Sequence, residues 1–410
     1  MPRFFIHTFG CRVNRVESDQ IAAKLLLRGW QQAPSMQDAD ATIINTCTVT
    51  GEADSKNRKA IRQALKRTSG PVIVTGCSAN LKAAEYDAMD GRVTCETDKD
   101  KVAAVACSAL QTQVAQECDA SLVAYGDGFR TRSGIKIQDG CNNACTFCIV
   151  HTARGKARSV AADEVVAQAR ELVSAGAPEI VLVGIDSGAY NDNGLALDGL
   201  IKRLLNETNA PRIRLSSIEP QSITDGLIEL MATSEGRLCR HLHVAMQSGS
   251  SKVLKEMARH YSADQFAALV ARMRAATPSL ALSTDVIVGF PGETDADFEQ
   301  TCQMVKDCRF MKLHIFPYSK RPGTPAAART DQIAPELKAE RAARLAALGD
   351  ELAAADRAAR IGTTEGVVIE SSGKGTSESF HTVICSEELP SGTLQQLHIT
   401  GSKGDALIAN

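Results

Sequence analysis

The sequence lacks a dominant charge, a membrane-length apolar run and a hydrophobic leader, and each shortage narrows what the protein can be. Over 410 residues the formal charge is only −2. Any nucleic-acid contact must therefore come from a local basic patch rather than from the field of the whole molecule. No apolar run approaches the length of a bilayer span. Nothing after Met1-Pro2-Arg3-Phe4 resembles a secretory h-region, so no membrane association and a cytoplasmic location are expected. Hydrophobic residues at 44% and charged residues at 23% are ordinary for a globular chain, and the length suggests two or three domains, each with its own core.

What the sequence has in excess is cysteine. Thirteen is a high and odd count, and the clustering of several at short spacing points to metal or redox chemistry in a reducing compartment rather than to a disulfide framework. Cys141, Cys145 and Cys148 form a Cys-x-x-x-Cys-x-x-Cys run after the strand-like Gly134–Gln138. A cubane iron–sulfur cluster is usually held by four thiolates, so a three-cysteine site leaves one iron open to a cofactor or substrate. Two other readings stay open on spacing alone. One is a zinc site completed by His151, the other a small-apolar stripe on a helix, against which Gly140 and Asn142-Asn143 argue for a loop.

Upstream, the pattern alternates strand and helix: strand 3–9, helix 16–27, strand 41–46, helix 54–66, strand 71–75. This βαβαβ order predicts a small parallel sheet, whose ligands sit beyond the carboxyl ends of the strands. Each of those three ends carries a cysteine: Cys11, Cys47 and Cys77. They read as a second three-cysteine cluster site, the alternative for each being an ordinary buried thiol. Cys95, Cys107, Cys118, Cys239, Cys302, Cys308 and Cys385 fit no such pattern and read as inert thiols. The stripe Lys56, Lys59, Arg62, Lys66 on the helix after the second strand is either a solvated face or a phosphate-tracking surface. A linker is expected from about Cys118 to Arg132.

From residue 130 the alternation resumes, with strands at 135–138, 179–185, 212–217, 241–246, 281–289 and 312–317 and helices between them. Six βα units are too few for a closed eight-stranded barrel, so an open, partial TIM-like (βα)6 barrel is expected, its site at the C-terminal mouth. Gly184, Ser216, Glu219, Gln247 and Gly289 stand at those strand ends and, with Asp285 within the fifth strand, are candidates to bind a cofactor. His241 and His243 share a strand face and read as packing residues rather than ligands. The Ala-rich 335–361 reads as a long charged helix, and 362–410 as a small all-β module. That module holds Lys374 and Lys403 against six acidic residues, and Phe380 is its one aromatic residue. It is thus poorly equipped to grip RNA by charge and stacking.

Taken together these residues resemble the radical S-adenosylmethionine (SAM) methylthiotransferase family. The likeness runs through Gly10-Cys11…Asn14, Asn45-Thr46-Cys47, Thr75-Gly76-Cys77, Cys141/Cys145/Cys148, Ala153-Arg154-Gly155…Arg158-Ser159, Gln247-Ser248-Gly249-Ser250, Gly289-Phe290-Pro291-Gly292-Glu293-Thr294 and Arg321-Pro322-Gly323-Thr324. Thr8–Asn14 and Asn45–Thr50 are most similar to the branch acting on threonylcarbamoyladenosine, beside the anticodon of tRNA. Other branches act on isopentenyladenosine or on an aspartate of a ribosomal protein.

The resemblance implies an α/β protein with three parts: an N-terminal methylthiotransferase domain (1–120), a radical-SAM partial barrel (130–361) and a C-terminal TRAM-like module (362–410). It implies two [4Fe–4S] clusters, one on Cys141, Cys145 and Cys148 that binds SAM, the other on Cys11, Cys47 and Cys77, and both facing one cavity. SAM cleavage would give a radical that takes hydrogen from carbon 2 of the adenine, after which sulfur and a methyl group are added. It further implies a tRNA anticodon loop held by Arg154, Lys156 and Arg158, an electron donor such as a flavodoxin or ferredoxin, and a sulfur donor. His151 stands where the family usually has proline, and could donate a hydrogen bond to a cluster sulfide or to SAM. A non-catalytic iron–sulfur RNA-binding protein is the rival class, against which two open-iron sites argue.

Overall fold

The computed structural model describes residues 1–111, 124–126 and 128–410, so Cys118 and the expected start of the linker lie outside the described residues. The chain packs as two compact units that do not follow sequence order. One comprises 1–124, 139–143 and 148–157, the other 125–138, 144–147 and 158–410. Barrel and C-terminal module therefore share a unit.

The first unit is a five-stranded parallel sheet, ordered β2-β1-β3-β4-β5. Its strands are β1 (Arg3–Thr8), β2 (Gln31–Gln32), β3 (Ala41–Thr46), β4 (Val72–Gly76) and β5 (Val93–Cys95). The central β3 is buried at every residue, as its mostly small and β-branched side chains suit in a sheet covered on both faces, with Asn45 satisfied by hydrogen bonds to Asn14 O and Ser18 Oγ. Helices α1 (Arg12–Leu27), α2 (Gly51–Arg67), α3 (Cys77–Asp87) and α4 (Val102–Ala109) connect the strands. Thr50 caps α2 by accepting from Ala53 N, with Glu52 and Asp54 in the first turn. All four cations of the α2 stripe are exposed. Two strands more than expected are present, and α3 begins directly at Cys77. Gly76 makes that abrupt turn: its φ is +100°, and a Cβ there would stand 2.3 Å from Thr46 O.

In the second unit the expected six parallel strands are found as β6 (Arg132–Lys136), β9 (Glu179–Val183), β12 (Ile213–Leu215) with β13 (Ser217–Ile218), β14 (His241–Val244), β15 (Ala281–Val288) and β16 (Lys312–Pro317). The third strand is broken at Ser216, so pairing runs β12-β9-β6 on one side and β13-β14-β15-β16 on the other. Short strands β7 (Gln138–Asp139), β8 (Arg158–Ser159), β10 (Asn191–Asp192) and β11 (Leu195–Ala196) decorate the loops. Helix α5 (Val150–Arg154), which belongs to the first unit, follows the cysteine run. Around the barrel lie α6 (Ala162–Ser174), α7 (Leu197–Glu207), α8 (Asp225–Thr233), α9 (Ser251–Glu256), α10 (Ala263–Ala276), α11 (Asp295–Cys308) and α12 (Pro325–Ala328). His241 Nε2 and His243 Nδ1 both lie 3.1 Å from Ser283 Oγ, in keeping with their reading as packing residues.

The long helix α13 (Pro335–Arg360) leads into a closed five-stranded barrel, β17 (Thr364–Ser371), β18 (Lys374–Ser377), β19 (Thr382–Cys385), β20 (Leu394–Lys403) and β21 (Ala406–Ala409). Its core is aliphatic: Val367, Ile369, Val383, Ile399 and Leu407 are fully buried. The module docks on the six-stranded partial barrel through two buried arginines. Arg212 donates to Gly366 O and Thr376 O, and Arg214 to Ser377 O and Glu378 O. Glu179 holds both guanidinium groups, at 2.6 and 2.8 Å. Burial by itself would raise the pKa of Glu179, but Arg214 and Arg212 outweigh it and hold the carboxyl at about 2. Phe380 is spent on the same interface, with Arg214 5.0 Å from its ring centre and His241 stacked at 4.8 Å.

Candidate active site

In the first unit the site follows from register. Thr8 pairs with Asn45 and Asn45 with Thr75, so one row crosses β1, β3 and β4. Adjacent strands lie about 5 Å apart. Cys11 comes three residues beyond that row, Cys47 and Cys77 two. Gly10 approaches Cys47 so closely that a Cβ on it would stand 2.8 Å from Cys47 Sγ. The loops that carry the thiols are tied together. Asn14 Nδ2 donates to Phe9 O and Thr46 O, Asn45 Nδ2 to Asn14 O, Thr46 Oγ1 to Thr75 O, and Asn57 Nδ2 to Cys47 O. Cys47 and Cys77 are buried while Cys11 is exposed, which leaves one open side. Burial pushes the Cys47 thiol up to about 11; Cys77 and Cys11 add to the rise, and backbone N–H groups oppose it. Burial raises Cys77 as well, against the pull of Arg154.

Arg154, expected among the RNA contacts, is instead a core residue of this unit and is only 8% exposed. Its Nε donates to Cys77 Sγ at 3.0 Å, and Nη1 donates to Glu17 Oε1 and Asp139 Oδ1, both at 2.9 Å. Nη2 donates to Asn14 Oδ1 and, at 3.3 Å, to Glu17 Oε2. Burial opposes its charge, but Cys77, Glu17 and Asp139 more than compensate and keep it protonated. Every N–H of such a side chain is committed within the protein, so it has no donor left for a phosphate. Lys156 and Arg158 are exposed, as a phosphate contact needs. In the same unit, Asn143 N donates to Cys141 Sγ and Val150 N to Cys148 Sγ, both at 3.4 Å. Cys141 N donates to Gly155 O, and Ala157 N to Asn142 Oδ1. His151 Nδ1 is buried and has no hydrogen-bond partner among the described residues.

In the second unit, Ala144–Phe147 is anchored by Thr146, whose N donates to Met257 O and Oγ1 to Glu256 O. Cys145 is buried, and Arg259 Nη1 donates to its sulfur at 3.1 Å. Glu219 Oε2 grips the same guanidinium through Nη2. Tyr261, which accepts from Arg259 Nε, donates to the carbonyls of Ala245 and Met246. Arg259, Glu17 and Asp139 were not singled out from sequence; Glu17 and Asp139 stand beside cysteine motifs, but no spacing marks any of the three as facing a thiol.

The cofactor candidates fall into small groups. Gly184 N donates to Ser216 Oγ at 3.4 Å and Ser216 Oγ lies 2.7 Å from Ser187 Oγ. Gln247, in left-handed conformation at φ 64°, donates through its N–H to Asp285 O, and the Asp285 carboxylate lies 3.3 Å from His243 Nε2. Gly289 stands apart from these, its N–H donating to Glu293 Oε2 at 2.7 Å. Two cavities, of about 330 and 490 Å³, lie around Arg240 and Glu378 near the C-terminal module, and none of the six candidates lines either.

The donor chemistry fits iron–sulfur ligation. Five of the six sulfurs accept N–H bonds, Cys47, Cys141 and Cys148 from backbone amides and Cys77 and Cys145 from guanidinium groups, and such donors stabilise the thiolate over the thiol. Among the described residues no three His, Cys, Asp or Glu side chains gather as ligands of one metal ion. A cubane asks for a different arrangement, since its thiolates bind different iron atoms.

A parallel sheet with thiols at its strand ends, in one chain with a six-stranded partial barrel and a Cys-x-x-x-Cys-x-x-Cys run, defines a radical SAM enzyme. The Radical SAM superfamily matches residues 135–305, and a second family model, described as Uncharacterized protein family UPF0004, matches 3–95. The threonylcarbamoyladenosine tRNA methylthiotransferase MtaB of Bacillus subtilis is 41% identical over 86% of this chain and 81% of that protein. The Thermotoga maritima protein of the same name is 36% identical over 82% of this chain and 79% of its own. The tRNA-2-methylthio-N(6)-dimethylallyladenosine synthase of Syntrophobacter fumaroxidans is 34% identical over 92% and 87%. Among solved structures, the radical SAM methyltransferase TsrM of Kitasatospora setae shares the fold, with a TM-score of 0.58 and 13% identity over 80% of this chain and 77% of that one. This chain belongs to the radical SAM tRNA methylthiotransferase family. Among the described residues no helix is long and apolar enough to cross a membrane.

Proposed function

We propose that this enzyme converts threonylcarbamoyladenosine beside the anticodon of tRNA to its 2-methylthio derivative. The observation that carries the reading is the gathering of Cys11, Cys47 and Cys77 at one row of a parallel sheet, in a chain that also has Cys141, Cys145 and Cys148. Each set would hold one [4Fe–4S] cluster. Bound there, the two clusters and SAM supply reductive SAM cleavage, hydrogen abstraction from the adenine, and sulfur and methyl transfer.

The residues do the rest. Asn143 N and Val150 N direct N–H bonds at Cys141 and Cys148, and Arg259 fixes Cys145 with Glu219 behind it. Gly184, Ser216, Gln247, Asp285 and Gly289 are proposed to face SAM, with Glu219 contributing through the oxygen not engaged by Arg259. Lys156 and Arg158 are proposed to hold anticodon-loop phosphates. The unpartnered His151 Nδ1 is proposed to hydrogen-bond a cluster sulfide or SAM. A reducing cytoplasm, a flavodoxin- or ferredoxin-type electron donor and a sulfur donor complete the requirements.

The branch assignment rests on the flanks of Cys11 and Cys47 and on the similarity to the Bacillus and Thermotoga proteins. The Syntrophobacter relative supports a second reading, isopentenyladenosine as substrate. Mass analysis of tRNA nucleosides from a strain lacking the protein separates the two. Loss of the methylthio-threonylcarbamoyl nucleoside alone is expected. Its persistence, with loss of the isopentenyl counterpart, would transfer the assignment to the second reading.

A further inference from the structure

Helix α5 starts two residues after Cys148, and its last residue is Arg154. At 1.5 Å per residue its five residues span roughly 7.5 Å. One short segment thus joins a candidate ligand of the first cluster, Cys148, which accepts from Val150 N, to a candidate ligand of the second, Cys77, which accepts from Arg154 Nε at 3.0 Å. The guanidinium has no freedom to serve elsewhere. Glu17 and Asp139, 1% and 6% exposed, hold it at 2.9 Å, and Lys99 approaches Glu17 at 3.9 Å. Arg154 thus sets a cation against the Cys77 sulfur while engaging two buried carboxylates with the rest of its guanidinium.

The geometry points to Arg154 as a positioning residue of the second cluster. Its N–H orders Cys77 for loading and, once the cluster is in place, raises that cluster's reduction potential. This rests on the proposal that Cys77 is a ligand. A donor to a ligand sulfur favours the reduced, more negative cluster, and hydrogen bonds and net charge are among the protein's means of setting such potentials. Removing Arg154 takes away the donor and withdraws one positive charge from beside Cys77, Glu17 and Asp139, and both changes act in the same direction.

The test uses the full chain, reconstituted without oxygen, with Cys141, Cys145 and Cys148 changed to Ala so that only the second cluster is carried. Its redox state is titrated by electron paramagnetic resonance. Arg154→Gln is expected to weaken reduction at least tenfold, which is about 59 mV for one electron. Arg154→Lys should give a smaller shift in the same direction. Full iron content at an unchanged potential in Arg154→Gln overturns the inference. If neither variant retains iron, the sole Trp decides, because Trp30 is buried in this unit at 3% exposure. Native Trp30 fluorescence with iron lost supports the ordering of Cys77. Lost native fluorescence overturns the positioning role and makes Arg154 an ordinary core ion pair. Undiminished iron in Cys77→Ala refutes the ligand assignment itself, separately from any result on Arg154.

Discussion

Arg259 reaches Cys145 Sγ at 3.1 Å while Glu219 holds the other arm of its guanidinium. The carboxylate chosen from sequence as a SAM contact is thus partly committed to orienting a cation on a cluster ligand. Outer partners of a metal ligand typically contribute about 10–100-fold in metal affinity. Arg259→Gln, in a chain whose Cys11, Cys47 and Cys77 are Ala, should lose iron to a chelator that much more readily. Iron release timed by absorbance checks it. Glu219→Gln should show the same effect, weaker, because it frees the guanidinium without removing it.

The C-terminal module is expected to stabilise the barrel more than it binds RNA. Glu179→Gln leaves Arg212 and Arg214 buried beside a neutral amide, and breaking a buried ion pair from one side costs about 3–5 kcal/mol. Phe380→Ala removes a half-buried ring between guanidinium groups and should cost about 1–3 kcal/mol. Thermal unfolding of the variants measures both. A filter-binding assay on folded Phe380→Ala should show tRNA affinity near that of the parent, since this aromatic residue faces the barrel.

Acid should loosen the same interface first. The Glu179 carboxyl is held at about 2, well below its ordinary 4.5. Asp356 also lies at about 2, because hydrogen bonds from His381 and Arg360 outweigh its burial. For a carboxyl whose folded pKa is depressed, the stabilisation is complete above the unfolded value and disappears as pH falls through the folded one. The protection of residues 364–385 from hydrogen exchange, taken relative to the intrinsic rate at each pH, should therefore fall steeply between about pH 4.5 and 2. Glu179→Gln should flatten the Glu179 part of that profile.

Much of this was legible in the sequence. The β-branched runs at 41–46 and 281–288 and the helical periods at 162–174 and 295–308 fix strands and helices to within a few residues. A parallel sheet brings strand ends together by construction, which is why Cys11, Cys47 and Cys77 could be grouped despite their separation. Side-chain destinations were hidden where a charge goes inward. Arg154 sits in Arg-Gly-Lys-Ala-Arg, which reads as a solvated basic loop, and its partner Glu17 is 137 positions away. Arg212 and Arg214 likewise look like polar positions of an edge strand until the C-terminal module, more than 150 residues on, covers them. The start of α3 at Cys77 was missed because the turn before it depends on Gly76 passing against Thr46, an approach between strands that no local pattern records.

The division of the basic segment into buried and exposed cations gives the last prediction. Lys156 and Arg158 are exposed and Arg154 is not, so the three should part company when tRNA binding is measured against salt. Each cation withdrawn from a phosphate should reduce the slope of log affinity on log salt by about 1. Lys156→Ala and Arg158→Ala are each expected to flatten that slope while leaving iron content intact, because both side chains are exposed. Arg154→Lys should leave the slope unchanged, since its cation faces Glu17, Asp139 and Cys77 rather than solvent. A slope that falls in Arg154→Lys as much as in Lys156→Ala would return Arg154 to the RNA surface. Unchanged slopes in both Lys156→Ala and Arg158→Ala would place the anticodon loop on another basic face, for which the exposed α2 stripe Lys56, Lys59, Arg62 and Lys66 is the first to test.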